Sequence, residues 1–350
     1  MGLFGSKPSI LGVDIGTASV KAVLLRKQDG TFQLGALGEN VLRTNYLHGR
    51  GEQFISETVN SLTQLFAQMR LKSKDLRHIV VGIPGNLAFS TVISVPDGSW
   101  QQLNQAVFSV AEKYIPADID TVSLSWAPLQ TITGPNGQAQ REIYLVAFSQ
   151  EVLAIYQQII SQVGNKAPLF ELNAFAQARA TIGSDQVNTL LVDIGSDVSE
   201  ISIIEQGIVR LNRIVNTGSR MITERLMDKL SMEASEAEKQ KREMGLDRAN
   251  LLETVPSIVQ TEVDKIALEI DRIRKRYIQT TQKNIERLIV LGGGGHIRDL
   301  DYYLGRKLNL ASFAATPWQR VSYDKRRQKA LLAKGSDYAT AIGLAMYPIS

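Results

Sequence analysis

Apolar-rich segments at 9–15, 19–26 and 31–38 read as three strands. The pattern then turns helical over 52–70, where Phe54, Val59, Leu62, Leu65, Phe66 and Met69 fall near a 3.6-residue period. A buried strand over 79–83 ends at Pro84-Gly85. From 86 to 142 the character differs: a strand over 87–95, a helix entered through Pro96-Asp97-Gly98-Ser99 and ended at Ile115-Pro116, then a strand over 121–131 before Gly134-Pro135-Asn136-Gly137. This predicts a small α+β module inserted into a first lobe. A strand over 143–148, and a helix with Val152, Ile155, Tyr156, Ile159, Ile160 and Val163 on one face, return the chain to that lobe. Strands from Leu190, over 199–205 and over 207–214 open a second lobe. Helices are expected over 219–282, with a charged piece at 233–243 and a long amphipathic helix near 258–277. A buried strand over 285–291 runs into Gly292 to Gly295, and an alanine-rich helix is expected over 336–347. The expected fold class is α/β. Its divisions are 1–85, 143–182 and the module 86–142 in the first lobe, then 183–218, a helical subdomain 219–284, 285–335, and a connecting helix 336–350.

One motif occurs twice. Val13-Asp14-Ile15-Gly16-Thr17-Ala18-Ser19-Val20-Lys21 is echoed by Val192-Asp193-Ile194-Gly195-Ser196-Asp197-Val198-Ser199-Glu200, half a chain later. Each reads as a buried strand, a tight turn and an antiparallel return strand. Glycine lets the turn's N–H groups face an anion, and the hydroxyl adds a donor. Two such hairpins, each opening one half of the chain, predict a duplicated domain that clamps a polyphosphate, with Asp14 and Asp193 converging on its magnesium.

Composition narrows the alternatives. At 350 residues the chain exceeds a single-core length, which favours two lobes with a cleft. The absence of cysteine excludes disulfides, thiolate metal sites and a cysteine nucleophile, and gives no reason for an oxidising compartment. A formal charge of +4 is too small to argue for nucleic acid. No apolar stretch is long enough to span a bilayer. Met1-Gly2-Leu3-Phe4-Gly5-Ser6 fits a myristoylation pattern but reads better as a frayed tail or a weak surface contact. His48, His78 and His296 form no cluster in sequence, so a histidine metal site is not expected.

The two hairpins, Val290-Leu291-Gly292-Gly293-Gly294-Gly295 and the small-residue helices near 171–181 and 337–346 resemble the phosphate 1, phosphate 2, adenosine and two connecting motifs of the actin, Hsp70 and sugar-kinase ATPase superfamily. Within it the chain is similar to the PilM family of type IV pilus assembly proteins, relatives of FtsA. Gly2-Leu3-Phe4-Gly5, Gly82-Ile83-Pro84-Gly85, Ser90 to Pro96, Ala111 to Pro116, and Ala237-Glu238 with Lys241 before Gly245 carry that likeness. Ser125-Trp126 departs from it, where the family more often has an acidic residue and a tyrosine.

The resemblance implies a two-lobed actin-like (ribonuclease H-like) ATPase fold that binds ATP and Mg²⁺. Asp14 and Asp193 are the expected metal residues; Gly16, Thr17, Ser19, Gly195, Ser196 and Asp197 belong to the phosphate turns. Lys21 either neutralises phosphate or is an ordinary lysine of the return strand. Gly292, Gly293 and Gly294, with Gly218, Glu238 and Lys241, would frame the nucleoside; the alternative for Glu238 and Lys241 is a solvated helix face with local ion pairs. Glu171 either orients the attacking water or is a helix N-terminal acid. The basic runs 272–276 and 325–329 read as solvated helix surface and as an open question, respectively.

The function implied is a cytoplasmic ATP-binding scaffold or switch, peripheral at the inner membrane through its partners. A groove between the first lobe and the module would receive the cytoplasmic N-terminal tail of the membrane protein PilN. Other platform proteins are expected partners and nucleic acid is not. Self-association and the hydrolysis rate stay open, with slow turnover allowed. An FtsA-like filament tether would carry a C-terminal amphipathic helix, whereas this sequence stops at Tyr347-Pro348-Ile349-Ser350; a small-molecule kinase would need a substrate motif that the sequence lacks.

Overall fold

In the computed structural model, which describes residues 9–28, 30–42, 51–247, 249 and 253–349, the apolar segment Ser9–Ile15 forms β1, central to a six-stranded sheet. β2 (Ser19–Gln28) folds back antiparallel on β1, and β3 (Thr31–Val41) continues the meander. α1 (Glu52–Gln68) returns the chain so that β4 (Ile79–Ile83) lies parallel to β1 on its other side. Leu62 and Leu65 of α1 and Val13 and Val81 of the sheet are fully buried in one core, as the helical period requires. Met1 to Ser6 and His48 lie outside the described residues.

The module comprises β5 (Ala88–Pro96), α2 (Trp100–Tyr114), β6 (Val122–Thr133) and β7 (Ala139–Ser149), with β7 in the middle of a three-stranded antiparallel sheet. Ser99 starts α2 through a capping box with Gln102. Here the structure corrects the expected boundary at 142. The strand expected over 143–148 does not belong to the first-lobe sheet; it is the second half of β7, so the module runs on to Ser149. Its unbroken apolar run has a physical cause. Ile143, Leu145 and Ala147 face the α2 cluster, while Tyr144, Val146 and Phe148 face the first-lobe core. α3 (Gln150–Gln162) then leads to β8 (Leu169–Leu172), parallel to β4, and to α4 (Asn173–Thr181).

The second lobe repeats the plan. β9 (Thr189–Ile194), β10 (Ser199–Glu205) and β11 (Ile208–Val215) form the meander, followed by α5 (Ser219–Leu230), α6 (Ala234–Glu243) and α7 (Thr254–Thr281). β12 (Arg287–Leu291) enters parallel to β9, and α8 (Leu300–Leu308) leads to β13 (Ala311–Ala314). The sheet order is β11-β10-β9-β12-β13. Val259, Val263, Ile266 and Ile270 of α7 pack on Ile201 and Ile203 in its core.

A second correction concerns 285–335, expected to be wholly second lobe. β14 (Val321–Ser322) pairs with β3, and Trp318, Val321 and Leu331 of this segment, the last in α9 (Gln328–Leu332), are buried with Val23 and Leu25 of β2. The chain has therefore crossed to the first lobe before its last helix. The helix expected over 336–347 is a 3₁₀ turn at Ser336–Tyr338 followed by α10 (Ala339–Ala345), every residue of which is buried. α10 crosses α4 and β1 at backbone contact. A Cβ on Gly343 would lie 1.8 Å from the Ala176 carbonyl oxygen, and one on Gly12 would lie 2.2 Å from that of Ala341. No helix among the described residues is long and apolar enough to cross a membrane.

Candidate functional site

The two hairpins share one turn geometry: the Gly16 N–H donates to the Ser19 carbonyl oxygen and the Gly195 N–H to that of Val198, both at 3.0 Å. This revises the expectation that these glycine amides face an anion, since both are engaged inside the turn. The amides that follow them are the ones left for that task. At the second turn, the Gly195 and Ser196 carbonyl oxygens accept the Ser219 and Arg220 N–H groups that open α5. Gly218 stands at that junction, where a Cβ would lie 2.3 Å from the Ser196 carbonyl oxygen, so it serves the approach of α5 to the turn.

The hairpins meet. The Thr17 hydroxyl donates to the Asp197 carboxylate, and Arg220 binds Asp197 at 2.9 Å and the Ser196 hydroxyl at 3.0 Å. Around this junction a cleft of about 710 Å³ opens between the lobes. Its lining brings together Asp14, Gly16, Thr17, Ser19, Lys21, Asp193, Gly195, Ser196, Asp197, Glu238, Lys241, Gly292 and Gly293. Gly218, Gly294 and Glu171 do not line it.

Charge is concentrated at the strand ends. Burial pushes the Asp193 carboxyl up to about 7, helped by the negative charge of Asp14 and opposed by Lys21 and by a hydrogen bond from Gln177 at 2.6 Å. Burial raises Asp14 also, against the pull of Lys21. For Lys21 burial works against the charge, but Asp14, Glu39, Asp337 and Asp193 outweigh it and hold the ammonium above its usual value. Lys21 also bonds the Ser19 hydroxyl at 2.9 Å and pairs with Glu39 at 3.5 Å, so it is an interior cation of the cleft. Two half-buried carboxyls, both raised and with Asp14 helping to raise Asp193, fit a divalent cation. Among the described residues there is no group of three or more acids or histidines able to hold a metal directly. That combination suits Mg²⁺, which keeps several waters and leans on phosphate oxygens.

The far end of the cleft is built by α5 and α6. Lys241, 4% exposed, bonds Glu238 at 2.6 Å, the Thr223 hydroxyl at 2.8 Å and the Ser219 carbonyl oxygen at 3.1 Å. Burial would raise Glu238, but Lys241, Arg242 and Thr223 overcome it and bring the carboxyl down to about 2. Lys241 is therefore an interior cation, while Glu238, 38% exposed, keeps local ion pairs with it and with Arg242 at the rim of the cleft. Gly292 has φ of 84°, and a Cβ there would come within 2.0 Å of Asp193 Oδ1, so the strand end can pass the carboxylate only as glycine. Gly294 packs behind, where a Cβ would meet Ile194 at 2.4 Å.

Glu171 is the expected residue that the structure removes from the cleft. It lies in β8, ahead of the helix, and both its oxygens accept from Arg179, which also bonds the Gly343 carbonyl oxygen at 2.7 Å. It is neither free to reach a phosphate nor a first-turn acid. Two residues on, Asn173 lines the cleft, is 8% exposed, and its Oδ1 is buried without a hydrogen-bond partner among the described residues. Glu200 also faces the cleft; burial pushes it up to about 8 although Asn212 binds it at 2.6 Å. Asp337, bonded to His296 at 2.8 Å, is a further acid of the lining. Asn173 and Glu200 carried a signal in the sequence: each is a polar residue in an otherwise apolar or small-residue segment beside a motif.

The basic runs divide. In 272–276, Arg274 and Lys275 pair with Asp271 at 2.7 and 2.6 Å. In 325–329, Arg326 pairs with Asp324 on an exposed turn.

Comparison with known proteins agrees with this architecture. A solved structure described as the PilM-PilN type IV pilus biogenesis complex matches with a TM-score of 0.81 at 23% identity, covering 96% of this chain and 97% of that one. MreB 5 of Spiroplasma citri bound to AMPPNP matches with a TM-score of 0.52 at 12% identity, over 98% and 96%. The cell division protein FtsA of Bacillus subtilis (strain 168) is 24% identical over 255 residues, 67% of this chain and 58% of FtsA, so the match spans less than two thirds of that relative. A family model described as type IV pilus assembly protein PilM matches residues 12–348, and the chain belongs to that family.

Proposed function

We propose that the cleft binds Mg²⁺-ATP and that its occupancy sets the relation of the two lobes, making the protein a nucleotide-dependent scaffold of the type IV pilus assembly platform at the cytoplasmic face of the inner membrane. The observation that carries this reading is the junction of two equivalent hairpins, Thr17 to Asp197, over a pair of half-buried carboxyls whose pKa values are raised. The Ser196 hydroxyl and the turn amides, that of Thr17 among them, would hold phosphate oxygens, and Lys21 would balance their charge. Asp14 and Asp193 would hold waters on the metal, which when bound screens the phosphates. The Glu238, Lys241 and Gly292 end would take the nucleoside. Asn173 would orient a water, in place of Glu171. Slow turnover fits a role in which occupancy of the cleft, and not hydrolysis, sets the relation of the lobes.

The partner we propose is the N-terminal tail of PilN, received between the first lobe and the module; the solved complex of that name supports this choice. Calorimetry tests the cleft. Saturable Mg²⁺-ATP binding is expected, and binding unchanged in an Asp14→Ala, Asp193→Ala variant that keeps its fold would overturn the assignment. Titration of a fluorescent PilN tail peptide tests the partner; equal binding by a folded variant lacking 88–149 would move the site elsewhere.

A further inference from the structure

β11 ends the second-lobe sheet, with β10 as its one sheet neighbour among the described residues, and the carboxyl half of α7 runs beside it. Between them lies a groove of about 510 Å³, separate from the interlobe cleft. Leu211, Ile273 and Tyr277 give it an apolar floor, and Arg213, Arg272 and Arg276 stand around that floor with Glu269 as the one acid of the lining. Arg272 and Arg276 are one helical turn apart on α7 and so share a face. Their neighbours in the basic run are already paired with Asp271, whereas these arginines are little engaged. Arg272 is 76% exposed and 3.6 Å from Glu269; Arg213 donates to the Asn212 carbonyl oxygen at 2.8 Å; Arg276 has no side-chain hydrogen bond or ion pair among the described residues.

We infer that this groove is a docking site for an extended acidic segment of a partner protein, separate from the cleft and from the module. Guanidinium groups match carboxylates in two-pronged geometry. Three of them against one acid leave an excess of positive charge that acidic side chains complement. The apolar floor takes the intervening side chains of an extended chain. An anionic membrane is a poorer match, because the arginines line a concavity.

A displayed library of short random peptides, panned on the full chain, tests the inference. Enriched sequences should alternate Asp or Glu with apolar residues. A synthetic peptide from that set should bind at least about tenfold more weakly to an Arg272→Glu, Arg276→Glu variant, and weaken with salt. The same peptide should bind an Asp14→Ala variant, with or without Mg²⁺-ATP, as it binds the parent, which separates the groove from the cleft. Both arginines are exposed, so the melting temperature of the charge-reversed variant should match the parent's; Arg272→Lys, Arg276→Lys should retain part of the binding. The absence of enrichment, enrichment of neutral or basic peptides, or equal binding by the charge-reversed variant would each overturn the inference. So would binding to phosphatidylglycerol vesicles that is lost in that variant while no acidic peptide is enriched.

Discussion

The Thr17 hydroxyl donates to the Asp197 carboxylate across 180 residues of sequence, joining the turn of one hairpin to the turn of its counterpart. Asp197 is also held by Arg220, so the contact fixes Thr17 more than it fixes Asp197. Thr17→Val keeps the shape and removes the donor. A hydrogen bond to a charged group contributes about 1.5–3 kcal/mol, so Mg²⁺-ATP should bind roughly tenfold or more weakly. Amide exchange at 16–19 should quicken in the same variant. If affinity and exchange both match the parent, the junction has no part in closing the cleft.

The pH dependence of nucleotide binding follows from Asp193. In the free protein its carboxyl titrates near 7, raised by burial and by Asp14. A bound cation requires the ionised form, so binding near pH 6.5 must release protons and grow tighter toward pH 8. The linked stability has the opposite sign. A carboxyl raised above its unfolded value makes the folded state hold more protons, so the nucleotide-free protein should lose stability as pH rises from about 4 through 7, and Mg²⁺-ATP should restore it. Calorimetry in buffers of different ionisation enthalpy measures the protons. Release of none at pH 6.5 would count against Asp193 as a metal residue.

The motif residues were legible because the same backbone turn recurs with the same residue types, and Asp14, Thr17, Asp193 and Ser196 do converge. The lobes were legible from the alternation of strand and helix patterns. What sequence could not supply was which neighbour a buried strand takes. Residues 143–148 are apolar on both faces, a pattern that fits the first-lobe sheet as well as the module sheet they join. The crossing of Trp318 and Val321 to the first lobe is a long-range pairing with no local signature. Glu171 misled for a related reason. An acid before a small-residue helix reads alike whether it faces the cleft or an arginine eight residues on, and the register of β8 decides it.

Glu171 and Asn173 should separate in experiment. Glu171→Gln leaves Arg179 partly buried without its counter-charge, a change that costs about 3 kcal/mol or somewhat less here because Arg179 is a quarter exposed. Thermal unfolding should fall by several degrees while the folded protein binds Mg²⁺-ATP as before. Asn173→Ala should leave binding nearly intact and lower whatever hydrolysis the parent shows, read as single-turnover phosphate release. The reverse pattern, with Glu171→Gln stable but inactive, would restore Glu171 as the water-orienting residue.

Coupling between nucleotide and partner should pass through Glu142 and Arg210. Arg210, on β11 of the second lobe, donates to Glu142 on β7 of the module at 2.5 Å, and the same carboxylate accepts from Gln130 at 2.9 Å. This is a direct polar tie between the second lobe and the module that the proposed function assigns to the partner tail. Closure of the cleft should shift that tie, and the tail should in turn change nucleotide affinity by the same factor. Glu142→Gln keeps the shape and the hydrogen-bonding capacity of the site while removing the charge that draws Arg210. Titrating a PilN tail peptide with and without Mg²⁺-ATP should give a ratio of affinities in the parent that falls toward one in Glu142→Gln, with each separate binding event preserved. A ratio that stays as large in the variant would place the transmission elsewhere, with α4 and α10, which cross at Gly343 and Ala176, as the route to test next.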